Sequence, residues 1–244
     1  MTNFTILDKN KNKNTRVITG RGAQFGENIH LVPVIAEELN KLVLEYPVCL
    51  IKDNKTGQFN LSALLGFEVE ENLFLNVDHW EANYIPLHIR RQPFMVAVNS
   101  PAGTKPTPEN TVITINMSNT RVQEKEGERL FDNNGNTTAY MNEMNNILST
   151  LVQGIIQTNT FIKTIADYDL IEAIQLNVKV NNEDKRFEGL FSINEDKLKQ
   201  LSPDVLSELH KKGYLQACYL LMASIGHVQK LISMKNKRLA NSKR

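Results

Sequence analysis

The sequence predicts an α+β fold: a mainly antiparallel sheet packed against a long helix and a C-terminal helix. Two observations carry this. Short apolar runs separated by turn-forming residues fill the first half and residues 170–193, whereas apolar residues at helical spacing fill about 139–168 and about 215–234. Strands joined by short turns, with helices kept apart from them, suit a sheet with helices on one face. A single domain over 1–244 is expected, with a polar N-terminal tail (1–15) and a basic C-terminal tail (235–244).

Each element has a local reason. "IHLVPVI" (29–35) is strand-like but holds Pro33, which suits an edge strand or an irregular segment. "AEELNKLVLEYP" reads as a helix with Leu39, Leu42 and Val43 on one face and Pro47 as its stop. "VCLIKDNKTGQFNLSALLGF" reads as a hairpin, because Asp53-Asn54-Lys55-Thr56-Gly57 is dense in turn formers. "NLFLNV", "FMVAVN" and "TVITINM" read as strands, the last two joined by the Pro/Gly-rich loop "SPAGTKPTPEN". Leu148, Leu151, Val152, Ile155, Ile162 and Ile165 form one helical stripe. "IEAIQLNVKVNN" and "RFEGLFSIN" read as a strand pair around Asn181-Asn182-Glu183-Asp184. "SPDVLSELHKKG" is a short helix with Ser202 as N-cap, Pro203 at the first position and Gly213 past the end.

Composition narrows the function classes. Hydrophobic residues make up 41% and charged residues 23%, with a formal charge of +1. That is an ordinary globular composition, and it lacks the basic footprint of a nucleic-acid binder. Lys9, Lys11, Lys13 and Arg16 near the start, and Lys235, Lys237, Arg238, Lys243 and Arg244 at the end, read as solvated, frayed termini. Cys49 and Cys218 sit in apolar stretches and are expected to be free, buried thiols. "MTNFTILDKNKNK" has no apolar core of a secretory signal, and the apolar run 215–234 carries His227, Gln229 and Lys230, so it reads as a buried helix and not a membrane span. A cytoplasmic location follows as the expectation, with non-classical export to the surface as the other route.

One loop imitates a calcium site. Asp132, Asn134, Asn136 and Glu143 match positions 1, 3, 5 and 12 of an EF-hand loop, but Thr137 stands where that loop needs glycine. A turn followed by a Thr137 or Thr138 helix cap is preferred, and no metal is expected. "GRGAQFGE" is glycine-rich but lacks the Lys-Ser/Thr of a phosphate loop, and reads as an ordinary loop.

The densest stretch chemically is "NVDHWEANYIPLHIRRQPF", residues 76–94. His79 and His88 have no metal-ligand spacing. Trp80 and Tyr84 would stack if a helical turn carried both, and such a pair is more often core than ligand platform. Arg90 and Arg91 suit a carboxylate or phosphate, with a salt bridge to Glu68, Glu70 or Glu81 as the plainer use of one.

"NLFLNVDHWEANYIPLHIRRQPF" followed by "GERLFDNNGNTTAYM" resembles the bacterial SapC family, and "EGLFSINEDKLKQLS" is similar to that family's later strand–helix segment. The resemblance covers about residues 28–234 and is to the surface-layer-associated SapC proteins, not to the transporter permease of similar name. It implies a neighbourhood of surface-layer proteins, flavin-dependent halogenase-like proteins, cupin-type oxygenases and outer-membrane receptors. It implies no catalytic residues.

Two functions are weighed. The first is a soluble accessory or binding protein without chemistry of its own, serving a surface-layer, uptake or metabolite-modification system. The second is an enzyme or enzyme subunit acting on a peptide or small metabolite beside halogenase-like or cupin-type partners. The first is preferred, because no nucleophile motif, phosphate loop or metal signature is visible. Candidate ligand- or partner-binding residues are His79, Trp80, Tyr84, Arg90, Arg91, Glu128, Arg129 and Asp132. Glu128 or Asp132 is expected to pair with Arg90 or Arg91. No cofactor is expected; partners are a protein, a small-molecule or peptide ligand, or a second copy of the chain.

Overall fold

A computed structural model describes residues 3–98, 110–180 and 183–241. Most of the proline-rich loop (99–109), Asn181-Asn182 of the second turn, and Lys243 and Arg244 lie outside the described residues. The fold is α+β. Its strands are β1 (Phe4–Ile6), β2 (Arg16–Val17), β3 (Leu31–Pro33), β4 (Val48–Lys52), β5 (Phe59–Leu64), β6 (Leu75–Asn76), β7 (His79–Trp80) and β8 (Phe94–Val98). They continue with β9 (Thr111–Asn116), β10 (Val122–Gln123), β11 (Glu128–Arg129), β12 (Ile171–Val180) and β13 (Glu183–Ile193). The α-helices are α1 (Leu39–Leu42), α2 (Leu87–Arg90), α3 (Ala139–Asp167), α4 (Glu195–Lys199), α5 (Pro203–Lys211), α6 (Tyr214–Ser224) and α7 (Val228–Asn241).

The chain forms two compact units: residues 1–27, 75–80 and 87–153 make one, and residues 28–74, 81–86 and 154–244 the other. The second holds a five-stranded antiparallel sheet in the order β12-β13-β4-β5-β3. Its central hairpin, β4–β5, closes where Asp53 accepts bonds from Lys55 N–H and Thr56 N–H and where Gly57 takes φ +70°. β3, with its proline, is an edge strand, the first of the two readings that the proline allows. The "AEELNKLVLEYP" helix is shorter than its pattern: a 3-10 turn (Ala36–Glu38) and the single turn of α1. β12 and β13 form the expected pair, and α5 carries the Ser202 cap, the Pro203 start and Gly213 at φ +74°.

α6 packs on β4 and β13, and α7 on β12. The expected single C-terminal helix is two, because a 3-10 turn at Ile225–His227 separates α6 from α7. Gly226 has low helix propensity, and the buried Ser224 hydroxyl accepts from Val48 N–H at 3.0 Å while lying 2.7 Å from the Leu221 carbonyl of its own helix. The C-terminal segment is not the frayed tail of the sequence reading through Asn241. Lys235 is buried between Glu68 and Glu71, and Arg238 donates to the carbonyls of Asn72 (3.0 Å) and Leu73 (3.2 Å). Cys49 and Cys218 are free and buried, and burial pushes both thiols up to about 12.

The first unit holds a β1-β9-β8 sheet, a small β10-β2-β11 sheet and the β6–β7 hairpin. The polar start is partly built in: β1 pairs with β9, and Asn12 and Thr15 are buried. "NLFLNV" keeps only Leu75–Asn76 as strand, because Val77 turns the chain at φ +48°. The single sheet expected from the sequence is thus divided among four. Strands of two or three residues end at turn chemistry before they can extend a common sheet. α3 serves both units: its early part brings Tyr140 against Phe94, and its later part puts Phe161 against Tyr214 and Thr158 Oγ1 2.8 Å from Ala36 N–H. Among the described residues, no helix is long and apolar enough to cross a membrane.

Candidate anion site

The glycine-rich "GRGAQFGE" loop, which follows β2, wraps around a buried carboxylate. Glu27 is fully buried and receives Arg21 Nη1 (2.6 Å), Arg121 Nη2 (2.6 Å) and Gly22 N–H (2.9 Å). Arg121 is itself 2% exposed; its Nη1 donates to the carbonyls of Ile18 (2.8 Å) and Gly20 (2.5 Å), and its guanidinium lies 4.1 Å from the Phe25 ring centroid. Two carboxylate-assisted guanidiniums and a stacked ring make this a fixed structure. Burial lowers the Arg121 pKa, and Glu27 opposes the shift.

A cleft of about 120 Å³ lies beside this pair, lined by Thr19, Arg21, Arg90, Gln92, Tyr140 and Glu143 among others. α2 ends at Arg90, where Pro93 three residues on stops helical continuation. The early turns of α3 supply Tyr140 and Glu143, and Arg90 Nη2 meets Glu143 Oε1 at 2.8 Å. That pair is open, with 33% and 56% of the two side chains exposed. The remaining nitrogens of Arg90 and the hydroxyl of Tyr140 have no hydrogen-bond partner among the described residues. Burial raises the Tyr140 pKa, while Arg121 and Arg21 act against the shift, so the phenol is neutral and a donor at neutral pH. Gln92 Oε1 is buried without a partner among the described residues. The chemistry gathered here is that of an anion cradle: two partly exposed guanidiniums, a phenol and an amide over a buried ion pair.

The SapC family model matches residues 7–231. The chain belongs to the SapC family. No curated protein and no solved structure matches it. Both segments that carry the SapC resemblance contribute to the cleft, Arg90 and Gln92 from the first and Tyr140 from the second.

Within this SapC chain the sequence-predicted candidates are otherwise dispersed. His79 is exposed beside Asp78, and Trp80 is buried at 8% exposure. No helical turn carries Trp80 and Tyr84: Trp80 ends β7, and Tyr84 belongs to the other unit, where its hydroxyl donates to Glu38 Oε1 at 2.9 Å. Arg91 turns inward, with Nη1 on Phe94 O at 2.5 Å and Nε on His88 Nδ1 at 3.3 Å. Glu128 and Arg129 form β11 against β2, and Arg129 reaches Asn133 Oδ1 at 3.0 Å. Asp132 Oδ1 accepts from the backbone N–H groups of Asn134 and Asn136, both at 2.8 Å. The expected pairing of Glu128 or Asp132 with Arg90 or Arg91 is corrected: the carboxylate on Arg90 is Glu143. Asp132 is turned into its own loop, where backbone N–H groups hold it, while Glu143 lies one helical turn into α3 and reaches across. The loop that mimics a calcium site is a turn, and Thr138 Oγ1 caps α3 by accepting from Met141 N–H at 3.3 Å.

Sequence reasoning missed Arg21, Glu27, Arg121 and Tyr140. Glu27 and Arg121 are separated by 94 positions, so no spacing rule joins them. The one available signal was an arginine and a glutamate in the same glycine-rich loop, a setting where backbone can close around a charge.

Proposed function

We propose that this SapC-family chain is an accessory protein that binds an anionic group in the Arg21–Arg90 cleft and carries no chemistry of its own. The observation that supports it is the pair of partly exposed guanidiniums held over the buried Arg121–Glu27 pair. The lining supplies donors that grip an anion. Among the described residues it offers no histidine or thiol, and its carboxylate, Glu143, is paired. The setting in a surface-layer, uptake or metabolite-modification system rests on the family resemblance, and a cytoplasmic location on the sequence reading.

The test is mass spectrometry of small molecules that stay with the purified protein. An acidic compound should be retained by the native chain and lost in Arg90→Ala. Because the Arg90–Glu143 pair is open to water, that substitution should cost no more than about 1 kcal/mol of stability. Arg91→Ala is the wrong probe, since its guanidinium is tied to Phe94 O. Equal retention by Arg90→Ala, or no acidic compound on the native chain, overturns the reading.

A further inference from the structure

The cleft's charge and size identify the kind of anion. Three guanidiniums (Arg21, Arg90, Arg121) face two carboxylates (Glu27, Glu143), which leaves one formal positive charge. Glu128 reaches Tyr140 only as the last of its electrostatic neighbours and is exposed, so it lowers that balance slightly and never raises it. A monoanion neutralises the cluster. A dianion would leave it negative beside a fully buried Glu27, where solvent screening is poor. The volume, about 120 Å³, is below the roughly 300 Å³ at which drug-sized ligands become enclosed, so only a head group enters. The chain itself shows which head group Arg90 accepts, because Glu143 already places a carboxylate on it.

Resting on the anion-site reading above, we propose that the cleft takes a monocarboxylate, either of a small organic acid or of a peptide C-terminus, which replaces Glu143 on Arg90. Exposed ion pairs are weak, so Glu143 can give up its bond to Arg90 at little cost, yet it stays tethered to α3 at the rim of the cleft, within a Debye length, where its charge still counts against a dianion. The incoming carboxylate then lies between Arg90 and Arg21, with the Tyr140 hydroxyl as a third donor. Guanidinium forks match the planar carboxylate. Phosphate fits the donors, but the dianion that predominates above neutral pH does not fit the charge.

The experiment follows the arginine Nε–H signals of the full chain by NMR during titration with sodium acetate, sodium phosphate and sodium chloride at matched ionic strength and at a mildly alkaline pH, where phosphate is mostly the dianion. Acetate should shift the Arg90 and Arg21 signals saturably, with phosphate roughly tenfold weaker and chloride without saturable effect. Arg90→Gln should abolish the acetate response. Glu143→Gln removes the internal competitor, so acetate should bind several-fold tighter; it also adds a positive charge, so phosphate should gain more than acetate does. A short peptide with a free C-terminus, compared with its amide, separates the two carboxylate sources. Tighter binding than acetate, lost on amidation, assigns the peptide; affinity equal to acetate assigns the small acid. If phosphate binds the native chain as well as acetate, or Glu143→Gln leaves acetate unchanged, the monocarboxylate assignment fails while the anion site stands. If neither anion moves these signals, both fail.

Discussion

His88 shows how one side chain sets a pH limit on the fold. It is packed against Arg91, whose Nε donates to its Nδ1 at 3.3 Å, so the imidazole is held neutral. Burial and the adjacent Arg91 charge lower its pKa from 6.5 to about 4. Between those values the unfolded chain binds a proton that the folded chain does not, so stability rises with pH across the window and is lost as pH falls towards 4. The slope should be no more than about 1.4 kcal/mol per pH unit. Asp8, Asp53 and Asp132 are held below their ordinary 3.8 by turn hydrogen bonds and act lower on the scale. Urea unfolding at a series of pH values should show this slope, and His88→Gln should flatten it; an unchanged slope would show that His88 is not its source. At this same scale the sequence was readable only where partners are close. Asp132 and its turn could be read from local spacing. The Arg90–Glu143 pair spans 53 positions, and Glu143 drew attention only through a resemblance to a calcium loop that the fold uses otherwise.

Elements were legible where their own residues decide them. The β4–β5 hairpin follows from Asp53 and Gly57, and α5 from Ser202, Pro203 and Gly213. Pairings made over long distances were not: β1 joins β9, and β2 takes β10 on one side and β11 on the other. In that last sheet Gly127 is the controlling residue. It sits at φ +92°, and a Cβ placed on it would lie 2.5 Å from Val17 O and 2.6 Å from Val17 C. Backbone, not a flexible side-chain end, fills the space, so there is little room to yield. Its carbonyl also accepts from Arg16 Nη1 at 2.9 Å. Gly127→Ala should therefore destabilise the chain by roughly 2–4 kcal/mol through combined left-handed strain and the β2 contact. Because β2 leads into the Arg21–Glu27 loop, the anion response should weaken as well. Denaturant unfolding within about 0.5 kcal/mol of the native chain would refute the account.

At the scale of the molecule, connectivity is the strongest constraint. Each compact unit is assembled from three separate stretches of chain. Residues 81–86 of one unit interrupt 75–80 and 87–153 of the other, and α3 continues without a break through the division after Gln153. A unit built this way cannot be cut out as one stretch. Unfolding it would free residues on both sides of segments held in the other, and would remove half of a 29-residue helix from its surroundings. We therefore expect the chain to unfold as a single domain. Two probes separate the alternatives. The only tryptophan, Trp80, reports on the first unit, whereas α4, α5, α6 and α7, all in the second, dominate the far-ultraviolet circular dichroism together with α3. The two signals should give coincident urea transitions, and Gly127→Ala should move both midpoints together although Gly127 lies in the first unit. A tryptophan transition that shifts while the dichroism transition stays in place would mean that the units unfold independently and that the family's 7–231 match covers two domains.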